Sequence, residues 1–119
     1  MAIRDKMKDK ATPYLRPGET IQAAFGAQTT NQGWVLLAGV VFLVKNNYRV
    51  VIATDQRILV TDSGKLSSTS SKSVVHELPR STLIGPPTGL WYSTKALGER
   101  LYIQKRFYKD VEAADSYVA

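Results

Sequence analysis

The sequence predicts a mainly β protein, an antiparallel barrel or sandwich of about six or seven strands with a helix packed on one opening. Three observations lead to this prediction. Several short segments alternate apolar and polar residues, turn residues recur between them, and the gaps are too short for the crossover helices that parallel strands require. The C-terminal residues instead repeat their apolar positions with the period of an α-helix.

The chain begins with a predicted basic helix over residues 3–12. This helix should end before Pro13, because the residue preceding a proline avoids helical geometry. Its apolar positions, Ile3, Met7 and Ala11, form one stripe with bases on both sides. The flanking bases are Arg4, Lys6, Lys8 and Lys10. This arrangement is typical of helices that lie on anionic membranes, and a solvated helix docked at the edge of the domain explains the same pattern.

The strands are predicted from alternating or β-branched segments that end at turn residues. They cover residues 21–28, 48–54, 57–62, 74–78, 90–97 and 100–106, and a further extended stretch begins at residue 81. Pro17-Gly18 suits the two central positions of a type II turn before the first strand. Asp55-Gln56 is a two-residue connection typical of a hairpin. The serine-rich residues 66–73 are predicted to form a loop.

The C-terminal segment predicts an amphipathic helix. Its apolar positions recur at helical spacing and are Phe107, Val111, Ala114 and Val118. We assign residues 1–14 to a basic helical extension and residues 15–119 to one barrel domain, because this length suits a single domain.

The composition narrows the class of protein further. The 119 residues include no cysteine and one histidine, which excludes disulfides, cysteine nucleophiles, thiolate metal sites and histidine clusters. The formal net charge is +6, but residues 1–109 hold all sixteen bases and only seven acids, a net charge of +9. Such a surface attracts nucleic acid, anionic lipid or acidic proteins, and it also keeps a small domain soluble.

One apolar run extends over residues 34–44, where WVLLAGVVFLV continues for eleven residues without a polar side chain. A helix needs about 20 residues to cross a bilayer, so this run is too short to span one. Because a small domain has difficulty covering such a run on all sides, we expect it in the core, in an oligomer interface or against lipid. The candidate contact residues are Trp34, Leu36, Leu37, Val40, Val41, Phe42 and Val44.

Three segments resemble the bacterial pleckstrin-homology-like (PH-like) domains. They are LRPGE at 15–19, the hairpin ATDQRILV at 53–60 and ELPRSTLI at 77–84. The resemblance covers residues 15–119 and implies a PH-like barrel capped by the terminal helix, with a tendency to self-associate. The hairpin also has a structural explanation, in which Asp55 caps the turn and Arg57 pairs with Asp55 or with a carbonyl of the turn. Relatives that bind phosphoinositides cluster several bases around the first hairpin, whereas this sequence offers Lys45 and Arg49 there.

The residue patterns do not predict catalysis. His76 has its neighbour Glu77 on the opposite strand face, and the sequence contains no second histidine or cysteine to act with it. The sequence also lacks a nucleophile elbow around its serines and a glycine-rich phosphate loop. We therefore expect no enzyme activity, no metal site and no cofactor.

A strand near the C-terminus is a candidate nucleic-acid surface. Tyr102 is expected beside Trp91 and Tyr92 of the neighbouring strand. It shares its own strand face with Arg100, Gln104 and Arg106. An aromatic side chain among bases can stack a nucleobase while the cations hold phosphates, and ordinary cross-strand aromatic packing explains the same residues.

The leading hypothesis is a non-enzymatic PH-like binding or assembly module that self-associates or binds a protein partner through the 34–44 contact residues. One alternative is a peripheral module that binds anionic membranes through this run and a set of bases. These anion-binding candidates are Arg4, Lys6, Lys8, Lys10, Lys45 and Arg49. A second alternative is a nucleic-acid-binding barrel, and no small-molecule substrate is identified. Because the first residues lack the apolar core of a signal peptide, we expect a cytoplasmic protein, either free or at the inner face of the membrane.

Overall fold

The computed structural model describes residues 3–29, 47–64, 69–89 and 91–117. In these residues, six antiparallel strands form one curled half-barrel sheet with a short helix near each terminus. The helices are α1 (Ile3–Ala11) and α2 (Tyr108–Ser116). The strands are β1 (Ile21–Gln28), β2 (Tyr48–Thr54), β3 (Arg57–Gly64), β4 (Ser73–Pro79), β5 (Trp91–Thr94) and β6 (Leu101–Gln104). Their order across the sheet is β4-β3-β2-β1-β6-β5, which confirms the predicted mainly β, antiparallel class.

The last two strands are shorter than predicted. The sequence predicted strands over 90–97 and 100–106, but β5 ends at Thr94 and β6 begins at Leu101. Leu97 lies in the intervening turn, from which its side chain is fully buried in the core. Gly98 follows with a φ of +94°, a conformation that glycine adopts without steric cost. Residue 90 lies outside the described residues.

Cross-strand pairing gives the sheet two faces, which we name after two residues of β1. On the Phe25 face, Phe25 lies opposite Val51, and Val51 lies opposite Val60. On the Gly26 face, Gly26 lies opposite Val50. All of these residues are buried, so the centre of the sheet is covered on both sides.

Helix α1 covers part of the Gly26 face. Met7 and Ala11 are fully buried, and Met7 Cε lies 3.1 Å from the position that a Cβ atom on Gly26 would occupy. The absence of a side chain on Gly26 therefore allows the helix to approach the sheet closely. The apolar stripe predicted for this helix packs against the protein, with Met7 and Ala11 in the core and Ile3 partly buried against it.

Helix α2 buries the apolar stripe that the sequence predicts for it. Phe107, which precedes the helix, is nearly fully buried, and Val111 and Ala114 are fully buried, whereas Val118 lies outside the described residues. Arg4 of α1 donates to both carboxylate oxygens of Asp110 at 2.9 and 2.8 Å. This ion pair connects the two helices directly.

Candidate functional site

Two of the segments that resemble PH-like domains meet in one buried ion pair. Gly18 has a φ of +78° and the Glu19 N–H donates to the Arg16 carbonyl at 3.0 Å, so the predicted turn forms ahead of β1. The turn places the fully buried Glu19 side chain beside the β2–β3 hairpin. There, Arg57 Nε and Nη2 each donate to the Glu19 carboxylate at 3.0 Å, and the Thr54 hydroxyl donates to it at 2.6 Å.

The other donors of Arg57 reach neighbouring elements. Its guanidinium donates to the Tyr14 carbonyl at 2.9 Å and to the carboxylate of Glu77 in β4. From the sequence, Arg57 was expected to pair with Asp55 or with a carbonyl of its own turn. Asp55 instead accepts from the Thr20 N–H at 3.0 Å. The difference arises because β1–β2 pairing brings the turn before β1 to this hairpin, although 38 residues separate Arg57 from its main carboxylate partner.

This ion pair changes the acid–base behaviour of both partners. The pKa of the Glu19 carboxyl falls from 4.5 to about 2, and the hydrogen bond from Arg57 is the largest cause. Burial raises this pKa, and the hydrogen bond from the Thr54 hydroxyl lowers it further. The hydrogen bond to Glu19 raises the pKa of the Arg57 guanidinium above its ordinary value. Both groups therefore remain charged at neutral pH and stabilise the fold.

Stability should fall in acid because of Glu19. Its pKa is lower in the folded chain than in the unfolded chain, so its stabilising contribution is complete above pH 4.5 and is lost as the pH falls toward about 2. The shift corresponds to about 3 kcal/mol in the free energy of unfolding. Denaturant titrations across this pH range measure the effect. In Glu19→Gln, the free energy of unfolding should fall less steeply over this acidic pH range. The same pH dependence in this variant as in the wild type would contradict the role of Glu19.

A second charged cluster joins the edge strand β4 to the β5–β6 turn. His76 Nε2 in β4 lies 2.8 Å from Glu99 Oε2 in the turn. Arg49 Nε lies 3.2 Å from the same oxygen, and Arg49 Nη1 lies 2.8 Å from Asp62 Oδ1. A Cβ atom on Gly98 would lie 2.7 Å from the His76 ring, so the backbone of the turn packs against the imidazole. We refer to His76, Glu99, Arg49 and Asp62 as the edge cluster.

The edge cluster gives His76 a partner that the sequence analysis did not identify. Glu99 is 23 residues away in the chain, and only the curl of the sheet brings it to β4. A histidine beside a carboxylate is a geometry used in proton transfer, but Arg49 also engages this carboxylate. Within the described ranges, no group of three or more His, Cys, Asp or Glu residues could hold a metal ion. The edge cluster therefore fastens the turn to the edge strand.

The predicted anion-binding residues separate into distinct environments. Arg4 and Arg49 each pair with a carboxylate. Lys6 and Lys10 are exposed on α1, and Lys8 on the same helix is half-buried. The remaining candidates lie outside the described residues and are Trp34, Leu36, Leu37, Val40, Val41, Phe42, Val44 and Lys45.

An aromatic cleft of about 270 Å³ lies on the Gly26 face near the end of β1. Tyr102 of β6 lies opposite Gln28 of β1, and Gln28 lies opposite Tyr48 of β2, so the three residues form one continuous row across three strands. Trp91 of β5 lies opposite Gln104 in the adjacent row. The other lining residues are Met7, Gly26, Ala27, Arg106 and Phe107.

The tyrosines of the aromatic cleft differ from those that stabilise the fold. The hydroxyls of Tyr14, Tyr92 and Tyr108 each donate to a backbone carbonyl. Tyr48 and Tyr102 make no side-chain hydrogen bond in the part of the chain that the structure describes. The aromatic cleft therefore presents polar groups and ring faces that the fold itself does not use.

No protein-family model, curated protein or solved structure matches this chain. Among the helices in the described ranges, none has the length and apolar character needed to cross a membrane.

The structure brings together part of the predicted nucleic-acid surface. The residues that meet in the aromatic cleft are Trp91, Tyr102, Gln104 and Arg106. Tyr92 faces the other side of the sheet and donates to the Ile84 carbonyl at 2.8 Å, and Arg100 does not line the cleft. Tyr48 and Phe107 also line the cleft but were not predicted as part of this surface. The register of the first hairpin, which pairs the end of β1 with the start of β2, is the signal that would have pointed to Tyr48.

Proposed function

We propose that this chain is a non-enzymatic binding module with a PH-like barrel fold, and that it assembles with further copies of itself through the apolar run at 34–44. The observation that supports this most directly concerns the two ends of the β1–β2 connection. Gln28 pairs with Tyr48, and the Thr29 N–H donates to the Asn47 carbonyl at 3.0 Å. Thr29 and Asn47, the described residues on either side of this run, therefore lie next to each other at the ends of β1 and β2.

The described residues form a hydrophobic core among themselves. One cluster of buried apolar side chains joins α1, β1, β2, β3, β6 and α2. An apolar run of eleven residues needs apolar surface to cover it. In a symmetric oligomer the same segment from a second copy provides a self-complementary partner, so one run can cover another.

The charged groups support a binding role over catalysis. The Glu19–Arg57 pair is buried and connects the turn before β1 to the hairpin. In the edge cluster, His76 shares Glu99 with Arg49. Side chains that could transfer protons are thus engaged in ion pairs that hold strands and turns together.

The described residues favour assembly over membrane association. The membrane alternative relies on the apolar run, and α1 adds no apolar stripe to that contact because Met7 and Ala11 are fully buried. It also requires free bases, and two of its candidates, Arg4 and Arg49, are paired with carboxylates. Without that stripe and those charges, attraction to an anionic bilayer is weaker.

Light scattering tests the assembly proposal. The wild-type chain should have a mass above that of a monomer, and this mass should rise with concentration. Val41→Asp places a carboxylate in the proposed interface, where burial of an unpaired charge is unfavourable, and should weaken association by about a hundred-fold or more. The variant should therefore be a monomer at concentrations where the wild type is associated.

Leu83→Asp is the matched control, because Leu83 is 58% exposed at a position outside the run. The same apolar-to-acid change at this position should leave the mass unchanged. A wild-type monomer at every concentration, or equal dissociation by both variants, would refute assembly through residues 34–44. Co-sedimentation of a monomeric wild type with anionic vesicles would instead support the membrane alternative.

A further inference from the structure

We propose that the aromatic cleft binds a nucleotide, with its base against Trp91 and Tyr102 and its phosphate at Arg106. A free mononucleotide and a nucleotide within a single strand present this same chemistry, and the experiment below distinguishes the two sources. The site does not depend on the proposed self-association, because its lining residues come from the described sheet and helices.

The ring faces provide the first reason. Trp91 lies opposite Gln104 and Tyr102 lies opposite Ser93, so the two aromatic residues stand on the same face of neighbouring strands. Both are half-buried, which leaves part of each ring open to the cleft. Proteins that bind single-stranded nucleic acids stack bases on aromatic side chains in this kind of position.

The polar groups provide the second reason. The Trp91 indole N–H, the Tyr102 hydroxyl and the Gln104 amide make no side-chain hydrogen bond within the described ranges. Together these groups offer donors and acceptors beside the rings. The edges of a nucleobase carry both donors and acceptors, so a base stacked in the cleft can satisfy these groups while its faces contact the rings.

The charge of the lining provides the third reason. Among the described residues that line the cleft there is the guanidinium of Arg106 and no carboxylate. Arg106 is exposed at the rim, and its guanidinium lies 4.7 Å from the centre of the Phe107 ring. Arg4 lies 5.6 Å from the centre of the same ring but is paired with Asp110. Of the described lining residues, Arg106 is therefore the cation that can contact an anion, and its planar guanidinium suits a phosphate.

The size of the cleft is consistent with a ligand of this class. Its volume of about 270 Å³ is slightly below the range of roughly 300–1,000 Å³ that holds drug-sized molecules. The cleft is therefore suited to one ring system whose phosphate remains at the rim in contact with water.

Tryptophan fluorescence provides the test. The chain has two tryptophans, so Trp34→Phe leaves Trp91 as the reporter in the cleft. Adenosine monophosphate at low salt should quench this fluorescence with saturation, whereas inorganic phosphate alone should not. A short oligoadenylate that binds more tightly and with steeper salt dependence identifies a single strand as the source, and equal affinity identifies the mononucleotide. Because Trp34 is a candidate contact residue of the proposed assembly, light scattering measures the mass of Trp34→Phe, and all affinities are compared within this background.

Two substitutions locate the binding site. Tyr102→Ala should weaken binding by about ten-fold or more, because it removes a stacking surface. Arg106→Gln should weaken binding by about ten-fold and reduce its salt dependence, because it removes the phosphate contact. Arg106 is exposed, so this variant keeps the test valid if Tyr102→Ala does not fold.

Lys95→Gln is the matched control, because it removes an exposed cation that does not line the cleft. It should leave the affinity unchanged. The proposal is overturned by an absence of saturable quenching at millimolar nucleotide, or by an equal loss of affinity in Lys95→Gln and Arg106→Gln. Either outcome would leave the assembly proposal intact, because that proposal is tested by mass.

Discussion

Replacing Arg57 with alanine should lower the free energy of unfolding by about 3–5 kcal/mol. Glu19 would stay buried with hydrogen bonds from the Thr54 hydroxyl and the Arg16 N–H, but without its counter-charge. Breaking one side of a buried ion pair is strongly destabilising because the remaining charge is uncompensated. The substitution also removes the hydrogen bond to the Tyr14 carbonyl, so the turn before β1 loses its link to the hairpin.

Arg16→Ala is the control for this prediction. Arg16 lies 3.8 Å from Glu77, and their side chains are 54% and 49% exposed, respectively. Exposed pairs of this kind contribute about 0–1 kcal/mol. Urea denaturation of both variants measures the difference, and equal losses would contradict the role assigned to the buried pair. Arg57→Lys keeps the charge but loses the planar guanidinium, so its free energy of unfolding should lie between those of the wild type and the alanine variant. This variant can still be measured if the alanine variant does not fold.

Replacing Met7 with alanine should also be strongly destabilising, by about 2–5 kcal/mol. Met7 is fully buried, and its Cε and the Phe107 ring both approach the Cβ position of Gly26, at 3.1 and 3.4 Å. Shortening this side chain leaves a cavity between α1 and the sheet, because the backbone can close it only in part. Thermal or urea unfolding measures the loss.

Lys6→Ala serves as the control for Met7, since Lys6 is the exposed preceding residue in the same helix. An exposed substitution of this kind should change stability by less than about 0.5 kcal/mol. Equal stabilities of the two variants would show that α1 is not part of the cooperative core. The result also bears on tests of membrane binding, because deleting residues 1–12 removes core packing together with the bases.

Local sequence patterns predicted most of the fold. Alternation and β-branched residues placed β1 and β2 at the bounds that the structure has, and helical spacing identified the buried positions Val111 and Ala114. The alternation of apolar and polar residues predicted a longer β5 than the structure shows. An apolar residue such as Leu97 fits an extended strand, and only the packed core shows that it fills the interior from a turn.

The charged sites were less predictable, because they depend on contacts between distant residues. The sequence contained both motifs of the Glu19–Arg57 pair, but their pairing follows from how β1 lies against β2. Glu99 reached His76 only through the curl of the sheet. The aromatic cleft was predicted in part, because strand alternation aligned Tyr102 with Gln104.

The pairing between neighbouring strands is least extensive where β1 meets β6. Seven residue pairs join β1 to β2, whereas the ladder between β1 and β6 consists, in the described residues, of the single pair Gln28 and Tyr102. The strands β1 to β4 form a continuous meander, and the β5–β6 hairpin joins this unit through that single pair and through the buried core that the two units share. Both residues of that single pair line the aromatic cleft. A ligand in the cleft would therefore contact both units and stabilise their association. Ligand binding would then raise the stability of the folded sheet.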